Sequence, residues 1–176
     1  VVIVTGGSRG IGKSIAKSLT KEGAKVFITF KKNFEEAEKV KNDIQKSGGE
    51  CIIYQMKVEE RISVKKAFKF CFQHYGSIDI LVNNAGINKP TDFDQITDED
   101  WDNILNVNLK GPFICSQEVI DFMKKNESSS IINIGSVSGQ YGGPRTAHYA
   151  SSKAGLISLS QVIARYSAKY NIRCNT

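Results

Sequence analysis

A tyrosine and a lysine four residues apart, Tyr149 and Lys153, form the pair in this sequence best suited to proton transfer. At a spacing of i and i+4, both side chains lie on the same face of a helix. A free tyrosine has a pKa of about 10, and lowering it to about 7 takes roughly 4 kcal/mol. An ammonium group about 4 Å away supplies roughly that much at an effective dielectric constant of about 20. The pair can therefore serve as an acid and base, although the same spacing also occurs by chance on exposed helices.

A glycine-rich loop with the sequence TGGSRGIG, residues 5–12, connects the first apolar run to a helical pattern. The order strand, glycine loop, helix is the setting that a phosphate-binding turn needs. Glycines admit a positive φ and let a pyrophosphate approach the backbone closely. The helix N-terminus adds free N–H groups and a partial positive charge. An ordinary tight turn is the alternative, and the setting favours phosphate binding.

Short β-branched runs alternate along the chain with longer helical patterns. The predicted strands are residues 1–5, 25–30, 51–55, 78–82, 131–134 and 172–175. Six helices are predicted. The first carries Ile11, Ile15 and Leu19 on one face, and the second begins at a capping box of Asn33 and Glu36. The third spans 64–75, the fourth begins at Thr97 with Asp100 in its first turn, and the last two span 109–124 and 149–170. Continuous rather than alternating hydrophobicity indicates strands that are covered on both faces. We therefore predict an α/β fold, a doubly wound parallel sheet in a Rossmann-type three-layer αβα sandwich, with residues 1–176 as one domain.

Composition excludes several classes. The chain is 40% hydrophobic and 24% charged, which argues against disordered, collagen-like and coiled-coil proteins. No apolar run approaches the roughly 18 residues that a membrane span needs, so we expect no membrane partner and a cytoplasmic location. The net charge of +6 favours an anionic partner, which could be nucleic acid, an acidic carrier protein or a phosphorylated cofactor. No recognised nucleic-acid motif is present.

The four cysteines have no CxxC pair among them. They are Cys51, Cys71, Cys115 and Cys174. Scattered cysteines of this kind are typical of reduced core residues rather than of a disulfide framework or a zinc site. We therefore expect no bound metal.

Three motifs in chain order resemble the short-chain dehydrogenase/reductase family. They are the loop TGxxxGxG with Gly6, Gly10 and Gly12, the segment NNAG at 83–86 after the fourth strand, and YxxxK at 149–153. The resemblance implies an NAD(P)-binding oxidoreductase that transfers hydride between nicotinamide C4 and a carbonyl or carbinol carbon, with Tyr149 as the proton donor in reduction.

The same resemblance completes a catalytic tetrad of Asn108, Ser136, Tyr149 and Lys153. Ser136 would polarise the substrate carbonyl; Ser138 competes for this role, and we favour Ser136 because it follows the strand directly. Asn108 would hold a water that links Lys153 to solvent, and its alternative is a polar residue that kinks a helix. The cofactor contacts implied are Gly6, Ser8, Arg9, Gly10, Ile11, Gly12, Lys31, Val58, Asn84, Ala85, Gly86, Tyr149 and Lys153.

The choice of cofactor depends on the end of the second strand. Members of the family that prefer NAD usually carry an aspartate there, which binds the ribose hydroxyls. This chain has Phe30 followed by Lys31, with Arg9 in the glycine loop, and these cations suit the 2′-phosphate of NADP. NADP is therefore predicted over NAD. Lys57 departs from the family, which commonly has Asp or Asn at this position in contact with adenine. A lysine cannot accept a hydrogen bond, so the contact with adenine must be made differently.

The subgroup that the sequence resembles most is the 3-oxoacyl-acyl-carrier-protein reductases of fatty acid biosynthesis, on the segments GSRGIG and SSKAGL. Sugar, polyol and small-ketone reductases share these cues, and a non-catalytic dinucleotide-binding or redox-sensing module is the rival from another class. Substrate-facing candidates are residues 87–90, Gln140, Tyr141 and His148, the last read as a wall residue. The resemblance also implies a homotetramer packed through the helices at Leu109 and Tyr149, and a domain that is incomplete at its C-terminus, since such domains run to roughly 250 residues.

Overall fold

Six parallel strands form the centre of the protein in a computed structural model that describes residues 1–176. They are β1 (Val2–Thr5), β2 (Val26–Phe30), β3 (Cys51–Gln55), β4 (Ile80–Asn83), β5 (Ser129–Asn133) and β6 (Ile172–Asn175). Their order across the sheet is β3-β2-β1-β4-β5-β6. The direction of winding reverses between β1 and β4, and in open α/β sheets the crevice at such a reversal is where ligands bind.

Seven α-helices cover the two faces of this sheet. They are α1 (Gly10–Lys21), α2 (Phe34–Lys46), α3 (Arg61–Tyr75), α4 (Asp98–Leu105), α5 (Gly111–Met123), α6 (Ser138–Tyr141) and α7 (Ala147–Ser167). Short 3-10 turns occupy Phe93–Gln95 and Ala168–Tyr170, and a π-helical turn occupies Asn106–Lys110. The predicted doubly wound α/β fold is confirmed, and the predicted strand limits agree with the structure to within two residues.

The sheet separates two apolar clusters, one under each layer of helices. The larger contains 20 buried residues, among them Ile3, Phe27 and Phe68. The smaller contains nine, among them Val4, Ile28 and Val40. Consecutive residues of β1 and β2 therefore face opposite cores, which explains why these strands are apolar at every position. All four cysteines are buried.

One local expectation fails at a helix start. Asn33 precedes α2 but makes no side-chain cap, and Glu36 pairs instead with Lys39 on the helix surface. Ile11, in the first turn of α1, is 64% exposed. The predicted cap of α4 is present, since the Asp100 N–H donates to the Thr97 hydroxyl at 3.1 Å.

No helix of the protein is both long enough and apolar enough to cross a membrane.

Candidate active site

The glycine loop lies between the end of β1 and the start of α1, at the carboxyl edge of the sheet. Gly6 has φ +64°, and a Cβ there would stand 2.9 Å from the Cα of Ala85. Only glycine allows the loop to pass this close to the chain after β4. The first turn of α1 carries no acidic residue and no side-chain cap. Its free N–H groups therefore face the crevice with the positive end of the helix dipole.

The segment NNAG fixes the loop from the other side. The Asn84 side-chain amide donates to the carbonyls of Thr5 at 2.9 Å and Gly6 at 3.0 Å. The Thr5 hydroxyl accepts the backbone N–H groups of Asn84 and Ala85, both at 3.0 Å. These four bonds hold the glycine loop and the NNAG segment together without using the outward N–H groups of α1.

Asn83, the first residue of the same segment, contacts the neighbouring elements instead. Its side chain is buried and donates to Asn133 on β5 at 2.8 Å and to Ser116 on α5 at 3.2 Å. Asn133 in turn donates to Ser160 on α7 at 2.7 Å. A buried polar chain thus ties β4, β5 and the two long helices together beneath the site. Sequence reasoning placed Asn83 directly after the fourth strand and missed its partners on β5 and α5.

A cleft of about 550 Å³ opens along this edge. Its two ends are called here the β2 end (Lys31, Lys32 and Glu59) and the β4 end (Gly86, Ile87 and Asn103). Eleven of the predicted cofactor residues line it: Gly6, Ser8, Arg9, Gly10, Ile11, Gly12, Lys31, Val58, Asn84, Ala85 and Gly86. Tyr149 and Lys153 do not line the cleft itself, but lie beyond its β4 end.

The β2 end holds an ion pair that sequence reasoning missed. Lys31 Nζ lies 2.5 Å from a carboxylate oxygen of Glu59, in the turn between β3 and α3. Lys57, predicted to stand near adenine, does not line the cleft and pairs with Glu60 at 2.6 Å on the surface. The only mark of Glu59 in the sequence is its place directly after Val58, one of the predicted cofactor residues.

The predicted acid–base pair lies on one side of α7. Lys153 Nζ stands 5.8 Å from the centre of the Tyr149 ring. Lys153 is only 5% exposed, and its ammonium donates to the carbonyl of Ile134 at 2.6 Å. Burial lowers the pKa of Lys153 from its usual value because desolvation penalises the charged form. The amine therefore loses its proton more readily than a surface lysine does.

Ser136 is brought to the same place by the chain that leaves β5. It follows Ile134, whose carbonyl binds Lys153, and precedes Gly139, where a Cβ would stand 2.7 Å from the backbone of Lys153. The Ser136 hydroxyl accepts the Ser138 N–H at 3.2 Å, which leaves its proton free to donate. Ser136, Tyr149 and Lys153 make no hydrogen bonds to one another. The structure brings these three elements together without linking their functional groups directly.

Asn108 lies in the π-helical turn between α4 and α5 and is fully buried. Its amide forms two bonds of 2.8 Å with the backbone of Ile87, one as acceptor and one as donor. A Cβ on Gly86 would lie 3.4 Å from the Asn108 side-chain oxygen and 3.9 Å from Lys153 Nζ. Asn108 and Lys153 therefore flank Gly86, at the β4 end of the cleft. The helix irregularity weighed as the alternative for Asn108 is present, and it holds the backbone at Ile87.

The substrate-facing candidates separate into exposed and buried residues. Tyr141 is 84% exposed and Ile87 37% exposed. His148 is fully buried, so its interpretation as a pocket wall is wrong; its Nδ1 accepts the Tyr149 N–H at 3.0 Å. This bond, within the first turn of α7, holds the backbone at Tyr149.

The fold and the cleft define a Rossmann-type α/β protein with its glycine loop at the reversal of the sheet. The profile of the family described as short chain dehydrogenase matches residues 1–176. The chain belongs to this family, and it is an oxidoreductase.

Relatives agree with this assignment over nearly the whole chain. A 3-oxoacyl-[acyl-carrier-protein] reductase of Staphylococcus epidermidis is 39% identical over 173 residues, which are 98% of this chain and 71% of that protein. One from Synechocystis is 38% identical over 99% of this chain and 71% of its own length. A crystal structure from Sinorhizobium meliloti, described as a short-chain alcohol dehydrogenase, has a TM-score of 0.94 and 33% identity, and the match covers 99% of this chain and 69% of that one.

Proposed function

We propose that the protein is an NADP(H)-dependent reductase that converts a carbonyl, best a 3-oxoacyl thioester, to a hydroxyl with Tyr149 as the acid. One observation carries the proposal. Lys153 lies on the same side of α7 as Tyr149 and within reach of Gly86, at the β4 end of the cleft. This geometry supports an acid–base role for the pair, at the point where a dinucleotide held by the glycine loop would end.

The chain fits such a dinucleotide in two respects. Gly6 and Gly12 let the loop pack against the chain after β4, where a Cβ would collide with Ala85 or Asn84, and the open first turn of α1 offers N–H donors for a pyrophosphate. Once bound, the nicotinamide supplies the hydride. The cofactor residues along the cleft bind and orient it, and Ala85 and Gly86 keep the chain close beside it.

Proton supply is the task of α7 and of the segment after β5. Ser136, with its hydroxyl proton free, donates a hydrogen bond to the substrate carbonyl oxygen. Tyr149 gives its phenolic proton to the oxygen on which negative charge develops. The Lys153 ammonium stabilises the phenolate that remains, and Asn108 holds the backbone of Ile87 beside Gly86.

A preference for NADP is supported by the charges at the β2 end of the cleft. Phe30 occupies the position at which a carboxylate would bind ribose hydroxyls, and Arg9, Lys31 and Lys32 line the same region. Guanidinium and ammonium groups suit a 2′-phosphate.

The acyl-carrier-protein substrate is supported by the names of the relatives and by the net charge of +6, which suits docking of an acidic carrier. We also propose that residues 1–176 form a single dinucleotide-binding domain, that the protein assembles as a homotetramer through α5 and α7, and that it acts in the cytoplasm in fatty acid biosynthesis.

A substrate screen tests the proposal. NADPH oxidation by the purified protein is followed with 3-oxoacyl thioesters, sugars and small ketones, and the same set is run with NADH. We expect the highest kcat/KM for a 3-oxoacyl thioester with NADPH. If a sugar or a ketone is the best substrate, the protein is a reductase of that substrate class instead. If NADPH binds and none of the compounds is turned over, the protein is a non-catalytic dinucleotide-binding module.

A further inference from the structure

The ion pair at the β2 end of the cleft has two unequal partners. Lys31 has 43% of its side chain exposed, whereas Glu59 has 19%. One oxygen of Glu59 binds Lys31, and the other is buried and has no hydrogen-bond partner. A carboxylate in this position depends on a single cation to offset its loss of solvent. Any group that draws Lys31 away therefore leaves Glu59 without compensation.

The backbone keeps the two partners close together. The Met56 N–H donates to the carbonyl of Phe30 at 2.8 Å, and the Gln55 side chain donates to the carbonyl of Lys31 at 2.9 Å. The turn that carries Glu59 is closed by the Glu60 N–H, which donates to Lys57 at 3.2 Å. Only side-chain rotation can separate the ion pair, because the main chain on both sides is hydrogen-bonded.

Glu59 is also the only acidic residue that lines the cleft. The other charged lining residues are Arg9, Lys31 and Lys32. A phosphate monoester carries a charge of about −1.5 to −2 at neutral pH. A 2′-phosphate bound by Lys31 would therefore have to share that ammonium with Glu59 and lie close to a like charge. NADH, which has a 2′-hydroxyl in place of the phosphate, neither needs the Lys31 ammonium nor brings a like charge close to Glu59.

We propose that Glu59 is a coenzyme-specificity residue, whose carboxylate competes with the 2′-phosphate for Lys31 and so reduces the preference for NADPH over NADH. The inference rests on the proposed function, since it concerns the coenzyme that the same cleft would bind. In this proposal Lys31 and Arg9 favour NADPH, and Glu59 weakens NADPH binding. The preference for NADPH therefore depends on all three residues.

The test is E59Q, which removes the charge and keeps the shape of the side chain. Dissociation constants for NADPH and NADH are measured by direct titration, without any carbonyl substrate. We expect NADPH to bind roughly three- to tenfold more tightly to E59Q, with NADH changed by less than about twofold. The gain should shrink as salt is added. E60Q is the matched control, because Glu60 pairs with Lys57 outside the cleft, and its two constants should equal those of the wild type.

A second variant separates competition from a change of shape. In a K31M background, E59Q should improve NADPH binding less than it does with Lys31 present, because no ammonium remains to be released. E59A, checked for folding by circular dichroism, should act in the same direction as E59Q. Unchanged or weaker NADPH binding by E59Q overturns the inference while the proposed function stands. A wild-type protein that binds neither coenzyme overturns both.

Discussion

The two ends of the cleft are built in different ways. Along the glycine loop, the surface consists of main chain fixed by hydrogen bonds, as where Asn84 binds the carbonyls of Thr5 and Gly6, and the β2 end adds the Lys31–Glu59 ion pair. Beyond the β4 end, the chemistry belongs to side chains that bind the main chain and not each other, as Lys153 binds Ile134. The difference implies that coenzyme binding and catalysis can be altered separately.

Burial also differs between these regions in its consequence for stability. Lys153 is a buried amine without a carboxylate partner, and its pKa is lowered by desolvation. Between the lowered pKa and the usual one, the unfolded chain binds more protons than the folded chain, so the stability gained from this group rises with pH across that interval. Below the lowered pKa, where the amine is protonated in both states, its burial costs stability in full. We infer that this lysine is retained for its charge rather than for packing.

The largest predicted effect is that of K153M, which removes the ammonium and keeps most of the unbranched, apolar stem of the side chain. We expect kcat to fall by about 1000-fold, since roughly 4 kcal/mol of phenolate stabilisation is lost. Unfolding in urea should give a stability at pH 7 no more than about 1 kcal/mol below that of the wild type, because the lost bond to Ile134 is offset by the removed charge.

K17M is the matched control, since Lys17 pairs with Asp43 on the surface of α1 and should not affect turnover. The wild-type rate should decline on the alkaline side before the usual lysine pKa is reached, and this decline should be absent from the residual activity of K153M. A K153M enzyme within about tenfold of the wild type would contradict the assigned role.

A smaller but still large effect is expected from G12A at the loop. A Cβ on Gly12 would collide with the Asn84 amide and stand 2.6 Å from the carbonyl of Gly6. The hydrogen bonds from the Asn84 side chain to Thr5 and Gly6 would be broken or displaced. We therefore expect a loss of about 2–3 kcal/mol in unfolding free energy and an NADPH dissociation constant raised by about tenfold or more.

G48A provides the comparison for G12A. Gly48 has φ +83° with nothing within 4 Å of its added Cβ, so this change should cost about 1 kcal/mol and leave NADPH binding unaltered. Equal effects of the two substitutions on NADPH binding would show that crowding at the loop does not matter.

The smallest effect is expected for the thiols, which lie in the core away from both ends. Burial raises the pKa of Cys51 and of Cys71 to about 12, and that of Cys174 to about 11. The pKa of Cys115 is also raised by burial. A thiol reagent at pH 8 should therefore label none of the four in the native protein, leave turnover unchanged, and label all four in denaturant. Rapid labelling of any one in the folded state would contradict this packing.

The sequence predicted the scaffold better than the details of the site. Strands and loop followed from patterns with a local cause: β-branched runs buried on both faces, and a glycine cluster between a strand and a helix. Glu59 was missed because its relevance depends on β2 and β3 lying side by side, which no local pattern encodes. His148 was misjudged because its burial depends on packing by distant elements. The π-helical turn at Asn108 leaves no mark in the sequence beyond a buried asparagine between Val107 and Leu109.

The central claim is that Tyr149 supplies the proton, and that proton transfer can be abolished without loss of coenzyme binding. Y149F, with Y166F on the exposed face of the same helix as its control, tests it through kcat with the best substrate and the NADPH dissociation constant. We predict a fall in kcat of about 1000-fold for Y149F, with NADPH affinity within about twofold of the wild type and Y166F unaffected. Turnover of Y149F close to that of the wild type, or an equal loss of NADPH affinity, would contradict the account.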